Sequence, residues 1–348
     1  METFSAALIP WFLEEKRAMP WREDPTPYHV WVSEIMLQQT RVDTVIPYYT
    51  RFITALPDIK ALAECPEDRL YKLFEGLGYY SRVRHMQEAA RMIRDEFGGV
   101  FPDSQEAVLR LPGIGSYTAG AILSIAMEQP VPVVDGNVLR VYARIFGDES
   151  DISLEGTKKA YAAVLGDWLQ SSGVRPSLFN QGLMELGALV CLPNGAPHCE
   201  SCPAAACCKA HLQEKTDVLP VKSGKKARRI EEKTVFLVTM GDRILIGKRT
   251  EPGLLKGLYG FPMAEAFMDA EEAKSFLADL GFPEAVLTEA EEKKHIFTHV
   301  EWRMRAYRAE VIPVGDTERF ASRGYFFAGR DQMDREYALP GAFRKWDI

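Results

Sequence analysis

At 348 residues the chain is long enough for two or three domains, each with its own core. Its 47% hydrophobic and 26% charged residues fit an ordinary globular protein, and no apolar run approaches the roughly 20 residues that span a bilayer. A net charge of −7 argues against a protein that coats nucleic acid, while leaving room for a local positive face such as Ser81-Arg82-Val83-Arg84-His85 or Lys222 to Arg229.

Met1 to Arg17 carries Glu14, Glu15 and Lys16 among apolar residues and has no small-residue cleavage site. It reads as an amphipathic helix rather than a signal peptide, and the chain is expected in the cytoplasm, with the nucleoid if it is bacterial. Residues 1–190 have helical spacing, and the run from Trp31 to Val42 predicts a helix with one acid, Glu34, among apolar neighbours. Two readings are open for that acid: a surface carboxylate, or a pocketed carboxyl whose pKa is raised enough to donate a proton near neutral pH. Leu70, Leu73, Phe74 and Leu77 mark another helix, followed by Gly76-Leu77-Gly78-Tyr79-Tyr80-Ser81-Arg82.

Leu111-Pro112-Gly113-Ile114-Gly115 predicts a hairpin between two helices, within about 104–127. Asp103 with Glu106 would cap a first helix over Ser104 to Leu111, and a small-residue helix would start at Ser116. Exposed amides at Gly113 and Gly115 would suit a nucleic-acid phosphate, although an ordinary tight turn has the same composition. Asp135, after the apolar Val131 to Val134, would open a helix from Asn137 to Phe146. It is then a plain N-cap, a carboxylate held ionised by the helix dipole, or both.

Cys191, Cys199, Cys202, Cys207 and Cys208 cluster, and Cys65 stands alone. Clustered thiols in a cytoplasmic chain read as metal ligands before disulfides, and the set Cys191, Cys199, Cys202 and Cys208, with Cys207 an alternative to Cys208, suits zinc or a [4Fe–4S] cluster. Residues 212–232 read as a linker. Beyond it, Thr234 to Val238 and Arg243 to Gly247 predict a β-hairpin around Met240-Gly241-Asp242. A helix over Ala270 to Leu280 and strands over Trp302 to Val311 and Gly324 to Ala328 make the C-terminal part α+β.

The glycine hairpin followed by Asp135 resembles the helix-hairpin-helix DNA glycosylase superfamily, and Ser33-Glu34-Ile35-Met36-Leu37-Gln38-Gln39-Thr40 resembles the signature of its MutY family. The resemblance implies a hydrolase of N-glycosyl bonds that excises adenine opposite 8-oxoguanine or guanine in double-stranded DNA. It assigns Glu34 as the proton donor to the departing base and Asp135 as the carboxylate that stabilises the sugar cation. Tyr117 and Asn137 would orient Asp135 and the substrate. Tyr117 stands where bifunctional relatives carry a nucleophilic lysine, so a monofunctional enzyme is expected. Gln38 and Gln39 would enter the base stack and Tyr79, beside Arg82, would wedge at the oxidised guanine.

The cysteine spacing is similar to the superfamily's [4Fe–4S] loop (191–208), with seven residues rather than six in the first gap. Gly257-Leu258-Tyr259-Gly260-Phe261-Pro262 resembles the start of a Nudix-like domain, but Glu271 to Phe276 lacks that fold's magnesium-binding acidic arrangement, so no pyrophosphohydrolase activity is expected. Phe297-Thr298-His299 matches the motif with which MutY enzymes sense 8-oxoguanine, with threonine in place of serine. The expected fold is multidomain: an all-α helix-hairpin-helix glycosylase domain with an iron–sulfur cluster loop over 1–211, the linker, and an α+β Nudix-like lesion-recognition domain over 233–348. The resemblance implies a monomer without membrane contact. A thymine-DNA mismatch glycosylase and a non-catalytic iron–sulfur damage sensor are the rival readings.

Overall fold

The structure, a computed structural model, describes residues 1–224, 227–312 and 318–346. They fall into two compact units: residues 1–64 with 84–224, and residues 65–83 with 225–348. Among the described residues no helix is long and apolar enough to cross a membrane.

The first unit is helical. In chain order come α1 (Glu2–Glu15), α2 (Pro20–Glu23), α3 (Pro27–Leu37), α4 (Val42–Ala55) and α5 (Ile59–Glu64); after the excursion into the second unit, most of α7 (Ser81–Glu96) follows. Then come α8 (Gln105–Arg110), α9 (Ser116–Ala121), α10 (Gly136–Phe146), α11 (Glu155–Ser172), α12 (Pro176–Leu189) and α13 (Lys209–Leu212). The expected helix over Trp31 to Val42 is two helices. α3 stops at Leu37, Gln38 is extended and Gln39 turns through φ +59° before α4 begins. Glutamine is a good helix former, so no breaker marks that turn in the sequence. The cap of α8 is Ser104, whose hydroxyl accepts from Ala107 N at 3.3 Å, and not Asp103. Both residue types cap helices well, which makes adjacent candidates hard to rank.

α10 and α12 form the unit's spine with α1, burying Phe4, Leu8, Val138, Val141, Ile145, Phe179, Leu183 and Leu186. α12 also carries a buried acid, Glu185, which accepts from both Arg17 and Arg22 at 2.8–3.0 Å. Burial alone would raise that carboxyl, but the two guanidiniums hold it down at about 2.

The second unit opens with α6 (Glu67–Phe74) and continues as a mixed sheet: β1 (Arg229–Met240), β2 (Arg243–Lys248), β3 (Tyr259–Gly260), β4 (Met263–Ala264), β5 (Val286–Ile296), β6 (Val300–Glu310) and β7 (Tyr325–Gly329). The order β3-β2-β1-β6-β5 places β1 parallel to β6, and the other pairs are antiparallel. β1 starts at Arg229, inside the segment expected as linker. The two-residue Gly241-Asp242 loop makes the expected hairpin, with Thr239 opposite Ile244. α14 (Ala270–Leu280) spans the expected helix, capped by Asp269 and Glu272 in a capping box. α15 (Glu318–Ser322) and α16 (Arg330–Arg335) complete the unit. Its sheet buries Trp302, Met304, Phe261, Leu339 and Phe343 on one face, and Phe236, Leu245, Leu277 and Phe282 on the other.

Candidate active site

Glu34 sits in the middle of α3, where Trp31, Val32, Ser33, Ile35 and Met36 are all buried, and it is itself only 4% exposed. The pocketed reading of this acid therefore holds. Burial pushes its carboxyl up to about 7, a nearby Asp135 carboxylate adds to the rise, and a hydrogen bond from Tyr117 partly offsets it. Tyr117, on the first turn of α9, donates its phenol to Glu34 Oε2. Burial and the two neighbouring carboxylates keep that phenol well above its ordinary range, so it stays neutral and acts as a donor.

Asp135 is the N-cap of α10. Its Oδ1 accepts from Val138 N at 2.7 Å and its Oδ2 accepts from Asn137 Nδ2 at 2.8 Å. Burial raises this carboxyl, while the two hydrogen bonds and Arg140 favour its ionised form. Asp135 is the N-cap that the sequence allows, with a hydrogen-bond donor on each carboxyl oxygen. Asn180, fully buried on α12, grips the approach to Asp135 by accepting from Val133 N at 3.2 Å and donating to Val131 O at 2.9 Å. The structure brings Glu34, Tyr117, Asp135 and Asn137 together, as expected. One carboxyl is held for protonation near neutrality, and the other is furnished with donors that suit an anion.

The residues that secure this arrangement carried no motif. Asn137 Oδ1 accepts from Arg140 Nη2 at 2.9 Å, and Arg140 also donates to Gly187 O and Cys191 O at 2.8 Å each. A Cβ on Gly187 would lie 2.5 Å from Asn137 Cβ, so α12 approaches α10 closely only because that position is glycine. One turn on, Arg144 donates to Leu192 O at 2.8 Å and to Cys191 Sγ at 3.3 Å. Both arginines are buried. Two arginines four apart in an otherwise apolar helix are the signal that could have singled them out.

Cys191, Cys199, Cys202 and Cys208 line one cavity with Val141, Ile145, Leu186 and Val190, whereas Cys207 is exposed and lies outside it. Among the described residues no three His, Cys, Asp or Glu side chains converge on a single metal ion. Burial pushes the Cys202 thiol up to about 12 and raises Cys199 and Cys208. Four thiols around an apolar cavity are a fitting donor set for a cationic cluster, whose charge would favour the thiolates that burial disfavours.

In the hairpin, Gly113 adopts φ +76° and a Cβ there would sit 2.6 Å from His85 Cβ, so the turn requires glycine. Gly115 is extended, at φ −98°, a backbone that any residue adopts. Gln38 is half-buried and Gln39 exposed.

The second unit holds its own group. Phe297, Thr298 and His299 form the turn between β5 and β6; Phe297 packs edge-on against His295 and Trp302, while Thr298 and His299 are exposed. Tyr79, 44% exposed at φ +48°, hydrogen-bonds through its hydroxyl to Thr298 Oγ1. Arg82 is buried, and it donates to the carbonyls of Leu77 at 3.1 Å and Gly78 at 2.9 Å. Those bonds commit its guanidinium to the Tyr79 loop rather than to an open phosphate face.

Comparison with known proteins agrees with this geometry. Residues 32–165 match the HhH-GPD superfamily base excision DNA repair protein family, and residues 234–346 match the NUDIX domain. An adenine DNA glycosylase of Buchnera aphidicola subsp. Baizongia pistaciae is 37% identical over 265 residues, covering 74% of this chain and 73% of that one. The adenine DNA glycosylase of Rattus norvegicus is 35% identical over 364 residues, covering 87% and 70%. The solved structure of a thermostable thymine-DNA glycosylase is similar with a TM-score of 0.55 and 28% identity, over 61% of this chain and 96% of that chain. With a helix-hairpin-helix glycosylase unit, a Nudix-like unit and relatives of this identity along most of its length, the chain belongs to the adenine DNA glycosylase family.

Proposed function

We propose that this enzyme excises adenine paired with 8-oxoguanine in double-stranded DNA, as a monofunctional glycosylase. The observation that carries the chemistry is the buried pair Glu34 and Asp135, Glu34 held by Tyr117 and Asp135 by Asn137. Glu34 donates its proton to a ring nitrogen of adenine as the bond from the sugar to the base breaks, and the electron pair of that bond leaves with the base. Asp135, ionised and fixed by Val138 N and Asn137, stabilises the cationic sugar until water adds and its proton is lost. Tyr117 holds Glu34 and offers no amine for a Schiff base, so strand cleavage is not part of the reaction.

Reading of the opposite base is assigned to Tyr79 with Phe297, Thr298 and His299, supported by the hydrogen bond between Tyr79 and Thr298. Gln38 and Gln39 serve in the stack, and the Gly113–Gly115 hairpin meets a phosphate. Cys191, Cys199, Cys202 and Cys208 would hold a [4Fe–4S] cluster, which supplies a fixed loop rather than a chemical step. Residues 1–64 with 84–224 serve as the glycosylase unit and residues 65–83 with the C-terminal sheet as the reader, and the chain acts as a cytoplasmic monomer.

The test is base release from duplexes carrying adenine opposite 8-oxoguanine, adenine opposite thymine, and thymine opposite guanine, with strand breaks scored before and after alkali. Adenine lost selectively from the 8-oxoguanine duplex, with breaks only after alkali, is the expected result. Release of thymine, or breaks without alkali, would overturn the substrate or the monofunctional chemistry respectively.

A further inference from the structure

Four residues before Tyr79, α6 ends in a clamp. Lys72 Nζ donates to the carbonyls of Met333 at 2.9 Å and Tyr337 at 3.2 Å, and pairs with Glu75 Oε2 at 2.7 Å. Glu75 Oε1 accepts from Leu339 N at 2.8 Å and from the Arg344 guanidinium at 2.7 Å. One turn earlier Asp68 pairs with Lys248 at 2.8 Å and accepts from the Tyr259 hydroxyl at 3.3 Å. Positions 68, 72 and 75 share one face of the helix, and all their partners belong to the same unit.

From Glu75 two routes lead to one place. Along the backbone, Gly76 and Gly78 at positive φ deliver Tyr79, itself in the left-handed region and held there by Arg82 on the loop carbonyls. Through the fold, residues 339–346 insert Leu339, Phe343 and Trp346 into the core that contains Trp302, and Phe297 packs on that core. Thr298 follows Phe297, and it is Thr298 that Tyr79 meets. The clamp therefore ties the base of the Tyr79 loop to the segment that supports the Phe297–His299 turn.

We propose that Glu75 and Lys72 are specificity-determining positioning residues, whose grip on residues 333–344 sets the Tyr79 ring against Thr298 and so governs how sharply the enzyme distinguishes 8-oxoguanine from guanine opposite adenine. This rests on the reading of that pair as the sensor of the opposite base. Neither residue touches the reacting atoms, so the effect falls on selection and not on bond cleavage.

The full-length chain tests this as Glu75→Ala, Lys72→Met, Glu75→Gln, Tyr79→Phe and the Glu75→Ala/Tyr79→Phe double variant, in single-turnover adenine release from duplexes with 8-oxoguanine or guanine opposite. Glu75→Ala and Lys72→Met should each cut the ratio of the two rates roughly tenfold while leaving release opposite guanine within about twofold of the parent. Glu75→Gln, whose amide oxygen still accepts from Leu339 N and Arg344, should keep most of the ratio. The double variant should be no worse than Tyr79→Phe alone. Hydrogen exchange should quicken at residues 76–80 and 296–300 in Glu75→Ala and stay unchanged at 136–146. A folded Glu75→Ala with the parent's ratio, or losses that add in the double variant, would overturn the proposal. Should the parent fail to distinguish the two partner bases, the substrate reading falls separately. The exchange result then decides the clamp: faster exchange at both segments supports it and unchanged exchange ends it.

Discussion

In the proposed mechanism Glu34 acts in its protonated state, and burial favours the proton on it. Its carboxyl, near 4.5 in an open chain, rises to about 7 in the fold. A raised folded value means the folded state holds the proton more tightly than the unfolded one. The stability this confers is complete below about 4.5 and is lost as pH climbs through about 7. A shift of that size is worth roughly 3 kcal/mol at alkaline pH. Glu34→Gln, neutral at every pH, should therefore abolish adenine release yet melt higher than the parent at pH 8, with the advantage gone below pH 4.5. The parent's own single-turnover rate should fall as pH rises past neutrality, since only the protonated carboxyl can donate. A variant that keeps its activity, or shows no stability gain at alkaline pH, would remove Glu34 from the role of acid. The sequence left this residue open between surface and pocket, because helical spacing does not reveal which other elements close over an acid on α3. Only the packing of α3 against α9 decides it.

α10 is the element on which the most functions converge. Its N-cap is Asp135, its first turn carries Asn137, and its second and third turns carry Arg140 and Arg144 toward the cysteine loop. The helix was legible in advance from Asp-Gly-Asn before an apolar repeat, and its observed start at Gly136 differs by one residue from expectation. Its reach to Cys191 was not legible, since the partners of the two arginines are carbonyls that could lie anywhere in the chain. β5 was missed for a related reason: Glu289 to Lys294 is a charged run on an edge strand, with no apolar alternation to announce it. The arginine link makes a testable claim. Arg140→Met removes donors to Asn137 Oδ1, Gly187 O and Cys191 O while keeping much of the side chain's volume. Losing a buried charged donor costs about 1–3 kcal/mol, and if half of that reaches the orientation of Asp135 the single-turnover rate drops roughly two- to tenfold with DNA affinity unchanged. An unaltered rate in a folded variant would show that Asn137 needs no support from below.

At the scale of the whole molecule, the division into units does not follow the chain. Sequence composition places one boundary between 212 and 232, where polar residues accumulate, and nothing in residues 65–83 distinguishes α6 from its helical neighbours. Yet α6 groups with the sheet unit because of what its faces meet: Asp68, Lys72 and Glu75 find their partners at Lys248, Met333, Tyr337, Leu339 and Arg344. Tyr71 is 2% exposed, with Gly257 so close that a Cβ there would lie 2.7 Å from its ring. A chain cut after residue 224 would keep Glu34, Tyr117, Asp135 and all six cysteines, and by composition it would be an intact helical domain. It would also strip α6 of its partners at Lys248, Met333, Tyr337, Leu339 and Arg344 and uncover Tyr71. Burial of an aromatic side chain contributes on the order of 1.5–3 kcal/mol, and a helix of eight residues has little stability of its own. The truncated chain should therefore lose hydrogen-exchange protection across 67–80 and be cut there by protease, while α10 keeps the protection it has in the full chain. Protection of 67–80 equal to that in the intact protein would mean that the first unit alone suffices to fold α6, and that the contacts to the sheet unit only decorate it.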